Sequence, residues 1–488
     1  MITDLARPAP DDRRWRALAV SLTAGFMTLL DTSIVNVALP SMERGLHADD
    51  AQLSWVVSGY ALTFGLALVP AGRLGDVRGR REVFLLGLAL FTVASAACGL
   101  APNGAWLVLF RLFQGAAGGL VAPQTSGLIQ QMFEGEERAR AFGMMASVIA
   151  TSTAVGPLTG GLLLHAAGSD DGWRWVFYVN VPIGVVAFLA ALRLFPRHPV
   201  SADRREGLDL PGVLLLGASV LAIMLPFVQE QQWPGRRKWA LLPLAALLLA
   251  AFWVWERRQA QRGRAPLVDL RLFTLRSYSL GTLLSLVYFG GFTTLFFVYT
   301  LFLQNNMGYS PLAAGVASMP FAVGSAAMAT ASGRLVVRHG RRLVITGLCG
   351  VAAGLFGVVV IVQWVPGPAL GWAAALPLLV AGVGSGLIVS PNTTLALSLV
   401  PVQRAGAASG VLQTAQRIGS AAGIAAVGSV YFAHLANHGS PRTALQLALL
   451  GSVGIILLAL VLAVADLRER VVAPEPEPRE EEPARQGS

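Results

Sequence analysis

Runs of about twenty apolar residues, broken by short polar or Gly/Pro segments, recur along the whole chain and dictate what it can fold into. A hydrocarbon core of ~30 Å is crossed by about twenty residues of helix, and a helix satisfies its backbone N–H and C=O groups within one segment. Counting such runs predicts about fourteen spans. They lie at residues 17–39, 51–71, 82–101, 104–131, 138–166, 174–195, 209–229, 239–256, 277–303, 311–332, 343–364, 370–398, 405–433 and 444–466. Only 13% of residues are charged, against ~25% in a soluble domain, which excludes an ordinary water-soluble enzyme. The 53 glycines suit helices packed with their backbones close together. The expected fold class is an all-α polytopic membrane protein.

An even number of spans puts both ends on one side, and the charges say which. Most of the 37 Lys and Arg fall on the side of the N-terminus, including Arg13, Arg14, Arg73, Arg78, Arg257, Arg258 and Arg342. Positive charge marks cytoplasmic loops, so both termini are expected in the cytoplasm. Ala, Gly and Arg dominate, with Lys238 the single lysine, as in a high-GC bacterial gene, so the expected location is a bacterial cytoplasmic (inner) membrane. The formal charge of +10 is then loop charge and not a nucleic-acid surface. Cys98 and Cys349, the only cysteines, lie in apolar runs and leave no disulfide framework or cysteine-rich metal site.

The chain also repeats itself. Gly72-Arg73-Leu74-Gly75-Asp76-Val77-Arg78-Gly79-Arg80-Arg81 returns as Gly333-Arg334-Leu335-Val336-Val337-Arg338-His339-Gly340-Arg341-Arg342, identical at six of ten positions. Further on, Gly119-Leu120 with Pro123-Gln124-Thr125 is echoed by Gly386-Leu387 with Pro391-Asn392-Thr393. The second to fourth spans thus correspond to the tenth to twelfth. The expected organisation is a cytoplasmic N-terminus (1–16), a six-helix half (17–205), two inserted helices with a cytoplasmic loop (206–272), a second six-helix half (273–470) and a disordered acidic tail (471–488). Parallel halves of this kind are a transporter architecture, with the binding site at midplane between them.

An ionisable side chain in hydrocarbon is costly and marks function by default. Asp31 is the only acidic residue far from a span end. At ~1.5 Å per residue it lies roughly 20 Å into the first span, and Arg111, entering from the opposite side, reaches about the same depth. Asp31 is a candidate proton carrier; the alternative is a static carboxylate held by the helix backbone and Asn36. Arg111 stays charged and would tune Asp31, gate a cavity or bond carbonyls in a packed interface. Gly156-Pro157 with Gly160-Gly161 predicts a kink or hinge deep in the fifth span, or a passive packing kink. Asp76 among Gly72, Arg80 and Arg81 suggests an inner charge lock. Gln416 and Arg417 are further polar points in the thirteenth span, with structural carbonyl bonding and substrate contact as equal alternatives. Asn36, Gln114, Gln416 and Arg417 are the candidate cavity residues. No Walker-type phosphate loop and no zinc-type His-Glu pairing occur in the sequence. No cofactor or metal is therefore expected, and a proton gradient is the expected energy source. The expected partners are a small-molecule substrate, protons and the lipid bilayer; a monomer is compatible with the pattern.

Five stretches together resemble the major facilitator superfamily, specifically its fourteen-span drug:proton antiporter branch. Leu30-Asp31-Thr32-Ser33-Ile34-Val35-Asn36-Val37-Ala38-Leu39-Pro40 is similar to the branch's helix-one motif, and Gly72 through Arg81 to the superfamily's loop between helices two and three. Arg111-Leu112-Phe113-Gln114-Gly115 resembles the helix-four motif, and Gly156-Pro157 with Gly160-Gly161 the helix-five motif of antiporters. Trp173-Arg174-Trp175-Val176-Phe177-Tyr178-Val179-Asn180-Val181-Pro182 resembles the start of helix six. The resemblance implies proton coupling through Asp31 and Arg111, gating through Asp76 and its arginines, and efflux of lipophilic drugs by alternating access. A dedicated exporter of one metabolite or antibiotic is the alternative, and an uptake symporter a more distant one. The stretch Ala313 to Ala331 lacks the acidic residue found in relatives that export divalent organic cations, which argues against such cargo. No cluster of catalytic polar residues points to an enzyme.

Overall fold

The computed structural model describes residues 12–168, 171–196, 209–229, 233 and 235–470. Among these, fourteen helical stretches are long and apolar enough to cross a membrane. Sixteen α-helices are present among the described residues, and fifteen of them form these stretches. The first half contains α1 (Asp12–Leu46), α2 (Asp50–Arg78), α3 (Arg80–Gly99), α4 (Gly104–Met132), α5 (Gly135–Ala167), α6 (Gly172–Tyr178) and α7 (Asn180–Leu194). The inserted pair is α8 (Leu210–Val228) and α9 (Leu241–Gln261). The second half contains α10 (Arg276–Met307), α11 (Pro311–His339), α12 (Arg341–Trp364), α13 (Leu370–Ala373), α14 (Ala375–Leu397), α15 (Ala405–Ala436) and α16 (Pro441–Arg470). The expected tail at 471–488, residues 1–11 and the expected boundary at 205/206 lie outside the described residues.

Local chemistry sets the helix ends. Asp49, Asn103 and Ser310 cap α2, α4 and α11 by accepting backbone N–H groups of Gln52, Trp106 and Ala313, which would otherwise have no partner. The two copies of the repeated turn break at the same place, Gly79 and Gly340, with φ of 106° and 51°. A side chain would be strained there. Two spans expected as single helices are interrupted, at Val179 between α6 and α7 and at Ala374 between α13 and α14. Pro182 lacks an N–H, so the first of these breaks falls just ahead of it. In contrast, α5 continues through Pro157 without interruption.

Each half has its own apolar core. In the second half Leu348, Val351, Leu355 and Phe302 are fully buried together; in the first, Phe84, Leu88, Phe91 and Val121 form one cluster and Ile34, Leu107, Trp173 and Phe177 another. The halves meet along two seams, α5 on α11 and α2 on α15. Helix α8 packs on α2 and α15, with Met224 against Gly65 and Val220 beside Leu62. Helix α9 pairs with α8 and presents Leu244, Leu247, Leu249, Trp253 and Val254 outward, as a lipid-facing surface would require. The inserted pair therefore flanks the α2–α15 seam.

Candidate functional site

Asp31 sits fully buried in α1 at the centre of a polar network drawn from four other helices. Its Oδ2 accepts from Arg111 Nη1 at 2.6 Å, and its Oδ1 accepts from Gln114 Nε2 at 3.0 Å and Asn180 Nδ2 at 2.9 Å. Arg111 and Gln114 are three residues apart and share a face of α4, so both reach the same carboxylate. The rest of Arg111 is equally constrained. Its Nε donates to the Val56 carbonyl at 3.0 Å, Nη1 also donates to Gln114 Oε1 at 2.7 Å, and the guanidinium lies 4.2 Å from the centre of the Tyr60 ring. Tyr60 in turn donates its hydroxyl to the Thr28 carbonyl at 3.1 Å.

A buried ion pair is held only when further hydrogen bonds satisfy both partners. Here both carboxylate oxygens are occupied, and the cation has a carbonyl and an aromatic face besides its anion. Asn180 is the contribution of the break at Val179. It opens α7, bonds Asp31 and also donates to Ser95 Oγ at 3.1 Å. Asn180 and Tyr60 were not among the sequence candidates; the Asn-x-Pro step at 180–182 was the available signal for the first. Gln114, expected on the substrate cavity, is fully buried and belongs to the Asp31 network. Asn36 does not hold Asp31: it is exposed and donates to the Thr32 carbonyl of its own helix at 3.3 Å.

A second network joins the halves. Most of the repeated arginines gather at one end of the bundle, here termed the basic face. There Asp76 Oδ1 accepts from the backbone N–H of Gly406 at 3.0 Å and Oδ2 from that of Ala407 at 2.9 Å. The carboxylate thus caps the first turn of α15, where unpaired N–H groups and the helix dipole favour an anion. Arg80 Nη2 donates to Asp76 at 3.0 Å, and Arg80 also donates to the carbonyls of Gly127 and Val402. Gly72 lies directly against the Gly406 carbonyl, where a Cβ would overlap it. Arg81 stands apart, donating to the Leu192 carbonyl of α7 at 2.9 Å. Gly156 and Gly160 place α5 against Ser33 and Ile34 of α1, while Pro157 and Gly161 face Gly315 and Leu312 of α11. That stretch is therefore a meeting point of three helices from both halves.

A third network had no counterpart among the candidates. Arg341, at the position in the second repeat that matches Arg80, donates to Asp466 of α16 at 2.6 Å and to Asn392 of α14. Asn392 then donates to the Gly281 carbonyl at 2.8 Å and Ser285 Oγ at 2.9 Å in α10. Asp466 closes the last span, and position near a span end concealed its burial.

Residues 21–424 match the Major Facilitator Superfamily. The chain belongs to that superfamily. This member's fourteen spans fit the fourteen-span branch. It is 35% identical to the probable actinorhodin transporter of Streptomyces coelicolor over 90% of this chain and 75% of that one. It is also 35% identical to the puromycin resistance protein pur8 of Streptomyces alboniger, covering 95% and 93%. A third relative, the multidrug resistance protein Stp of Mycobacterium tuberculosis, is 36% identical over 84% and 74%. The fold is also that of the proton:xylose symporter XylE, with a TM-score of 0.64 at 15% identity over 92% of this chain and 95% of that one. This superfamily member is therefore a multi-pass membrane protein built as two six-helix halves with two inserted helices, in a class of transporters of small molecules.

Proposed function

We propose that the chain is a proton-coupled exporter of lipophilic small molecules, working by alternating access in a bacterial cytoplasmic membrane with its basic face and both termini toward the cytoplasm. One observation carries the reading: a carboxylate deep in the bundle, Asp31, with three side-chain N–H donors aimed at it. When Asp31 is ionised, all three donors are satisfied. Taking up a proton removes the charge and makes one carboxyl oxygen a donor, which weakens the bonds from the facing N–H groups and requires a new acceptor for the proton. Arg111 keeps its charge throughout and is left to the Val56 carbonyl, Gln114 and the Tyr60 ring. Proton uptake is thereby felt by α2, α4 and α7 together.

At the basic face Asp76 ties α2 to the start of α15, an arrangement that corresponds to a state closed to the cytoplasm. Cytoplasmic opening requires Asp76 to release Gly406 and Ala407, and Pro157 with its neighbouring glycines gives α5 room to move against α1 and α11. The transmembrane proton gradient supplies the energy with no cofactor. The names of relatives that export or confer resistance to antibiotics support the direction of transport. Several of them name one compound, among them a cephamycin export protein of Amycolatopsis lactamdurans, which favours a dedicated antibiotic exporter as the second reading.

The test is transport in everted vesicles under an imposed pH gradient, using a panel of cationic, neutral and acidic lipophilic dyes. Wild type moves dye with the gradient, while Asp31→Asn loses gradient-driven transport and still binds. Gradient-driven transport by Asp31→Asn would remove Asp31 as the carrier. Transport of one panel member only would favour the dedicated exporter.

A further inference from the structure

Four arginines lie deep within the protein, and three are held by an acid. Arg80, Arg111 and Arg341 each pair with an aspartate and also bond a carbonyl or amide oxygen. Arg417 does neither. Among the described residues, no carboxylate lies within ion-pair distance of it and no hydrogen bond reaches its guanidinium. Its guanidinium lies over the Phe64 ring of α2, whose centre is 4.7 Å from Cζ, with Tyr60 one turn away on the same helix. Part of the Arg417 surface is accessible, and the Phe64 ring it lies over is itself buried between α2 and α4, which points the guanidinium into the bundle. Its place in α15, twelve residues past Ala405, puts it about 18 Å in from the basic face, close to midplane.

The charge inventory sharpens this. Far from the span ends the described charges are Asp31, Arg111 and Arg417. The first two neutralise one another, which leaves one positive charge over. An isolated cation in a bilayer core costs several kcal/mol, and a packing role would have given Arg417 carbonyls of the kind Arg80 and Arg111 have. Stacking on Phe64 fixes the plane of the guanidinium and leaves its edge, a fork of N–H donors matched to two oxygens, unoccupied. Gln416 beside it is also partly exposed and without a hydrogen bond to a described residue. Outward of this level on α10, Phe289, Phe292 and Phe296 form an aromatic run that continues to Phe321 of α11. Gly419 packs on the Leu286 carbonyl, which sets Phe289 about one to two turns above Arg417.

We propose that Arg417 recognises an acidic group on the transported molecule, so that the cargo is a lipophilic organic anion whose carboxylate, or equivalent oxyanion, fills the guanidinium fork while its apolar body lies against the neighbouring aromatic side chains. This rests on the export reading above and specifies its substrate class. Anion and guanidinium complete between them the charge balance that the bundle alone lacks.

The test uses three probes that share one aromatic body: 1-pyrenebutyrate, its methyl ester and 1-pyrenemethylammonium, each measured for saturable, displaceable binding to the purified full-length protein. Wild type binds the acid at least about tenfold more tightly than the ester, the scale of a charged hydrogen-bonded contact, and the ammonium most weakly. Arg417→Gln loses that advantage while ester binding stays within about twofold, and Arg417→Lys keeps part of it. Equal affinity of wild type for acid and ester, preference for the ammonium, or equal loss of both by Arg417→Gln overturns the proposal. Should Arg417→Gln misfold, the wild-type ratio and Arg417→Lys decide the matter. Selective acid binding without gradient-driven transport would leave the anion site standing and remove the export reading.

Discussion

Both copies of the repeated turn pack a glycine on the other half, Gly72 on Gly406 and Gly333 on Ala139, but only the turn between α2 and α3 adds a polar bond across the seam. The difference lies in one residue. Asp76 supplies a carboxylate that caps α15 across the seam; the second repeat has Val337 at that position, 52% exposed and facing away from the core. Deprived of a neighbouring acid, Arg341 takes Asp466 from α16 and Asn392 from α14. On the proposed mechanism the same sequence motif serves as a releasable latch in one copy, while in the other its arginine is stapled within one half. A latch must be strong enough to hold and weak enough to open. A helix cap across the seam meets that need better than an ion pair with both partners in one half.

The largest effect is expected at the staple. Asp466→Asn leaves Arg341 buried beside a neutral amide, and losing one partner of a buried pair costs about 3–5 kcal/mol; a marked fall in the unfolding midpoint of the purified protein checks this, and an unchanged midpoint would show that the pair is not structural. Asp76→Asn acts on two contacts, removing the charge that Arg80 pairs with inside the first half and weakening the cap on α15 by about 1–2 kcal/mol. Distances between spin labels across the basic face should then shift toward the open state by roughly tenfold in population, with a smaller fall in midpoint than in Asp466→Asn because Arg80 keeps the Gly127 and Val402 carbonyls. A fall in midpoint matching that of Asp466→Asn would abolish the distinction. The smallest effect is expected from restoring the acid in the second copy. Val337→Asp lies on an exposed surface, so stability should change by less than about 0.5 kcal/mol and the label distances not at all; a shift in those distances would mean that an acid in the second turn also bonds across the seam.

Much of the fold was legible because span length is fixed by bilayer thickness and does not depend on packing. The repeat could be read for a similar reason, since Gly79 and Gly340 mark turns that few other residues would form. Depth was readable too: the rise per residue put Asp31 and Arg111 at one level. Contact between them was not, because depth says nothing about which way a side chain points around the bundle. That azimuth comes from close approaches such as Gly115 of α4 against Tyr60 of α2, which bring Arg111 toward α1. Asn180 was hidden for another reason, since the break at Val179 turns what looks like a boundary residue into one that faces the interior. Asp466 shows the opposite failure. A charge at the end of an apolar run looks solvated until the neighbouring helices prove long enough to cover it.

Helix α15 carries Asp76's cap at its first turn and Arg417 three turns later, with no proline between them. A rod of this kind does not absorb motion along its length. On the proposed reading, whatever frees its lower end carries the guanidinium with it, so the grip on a bound molecule and the seal at the far face act as two ends of one lever.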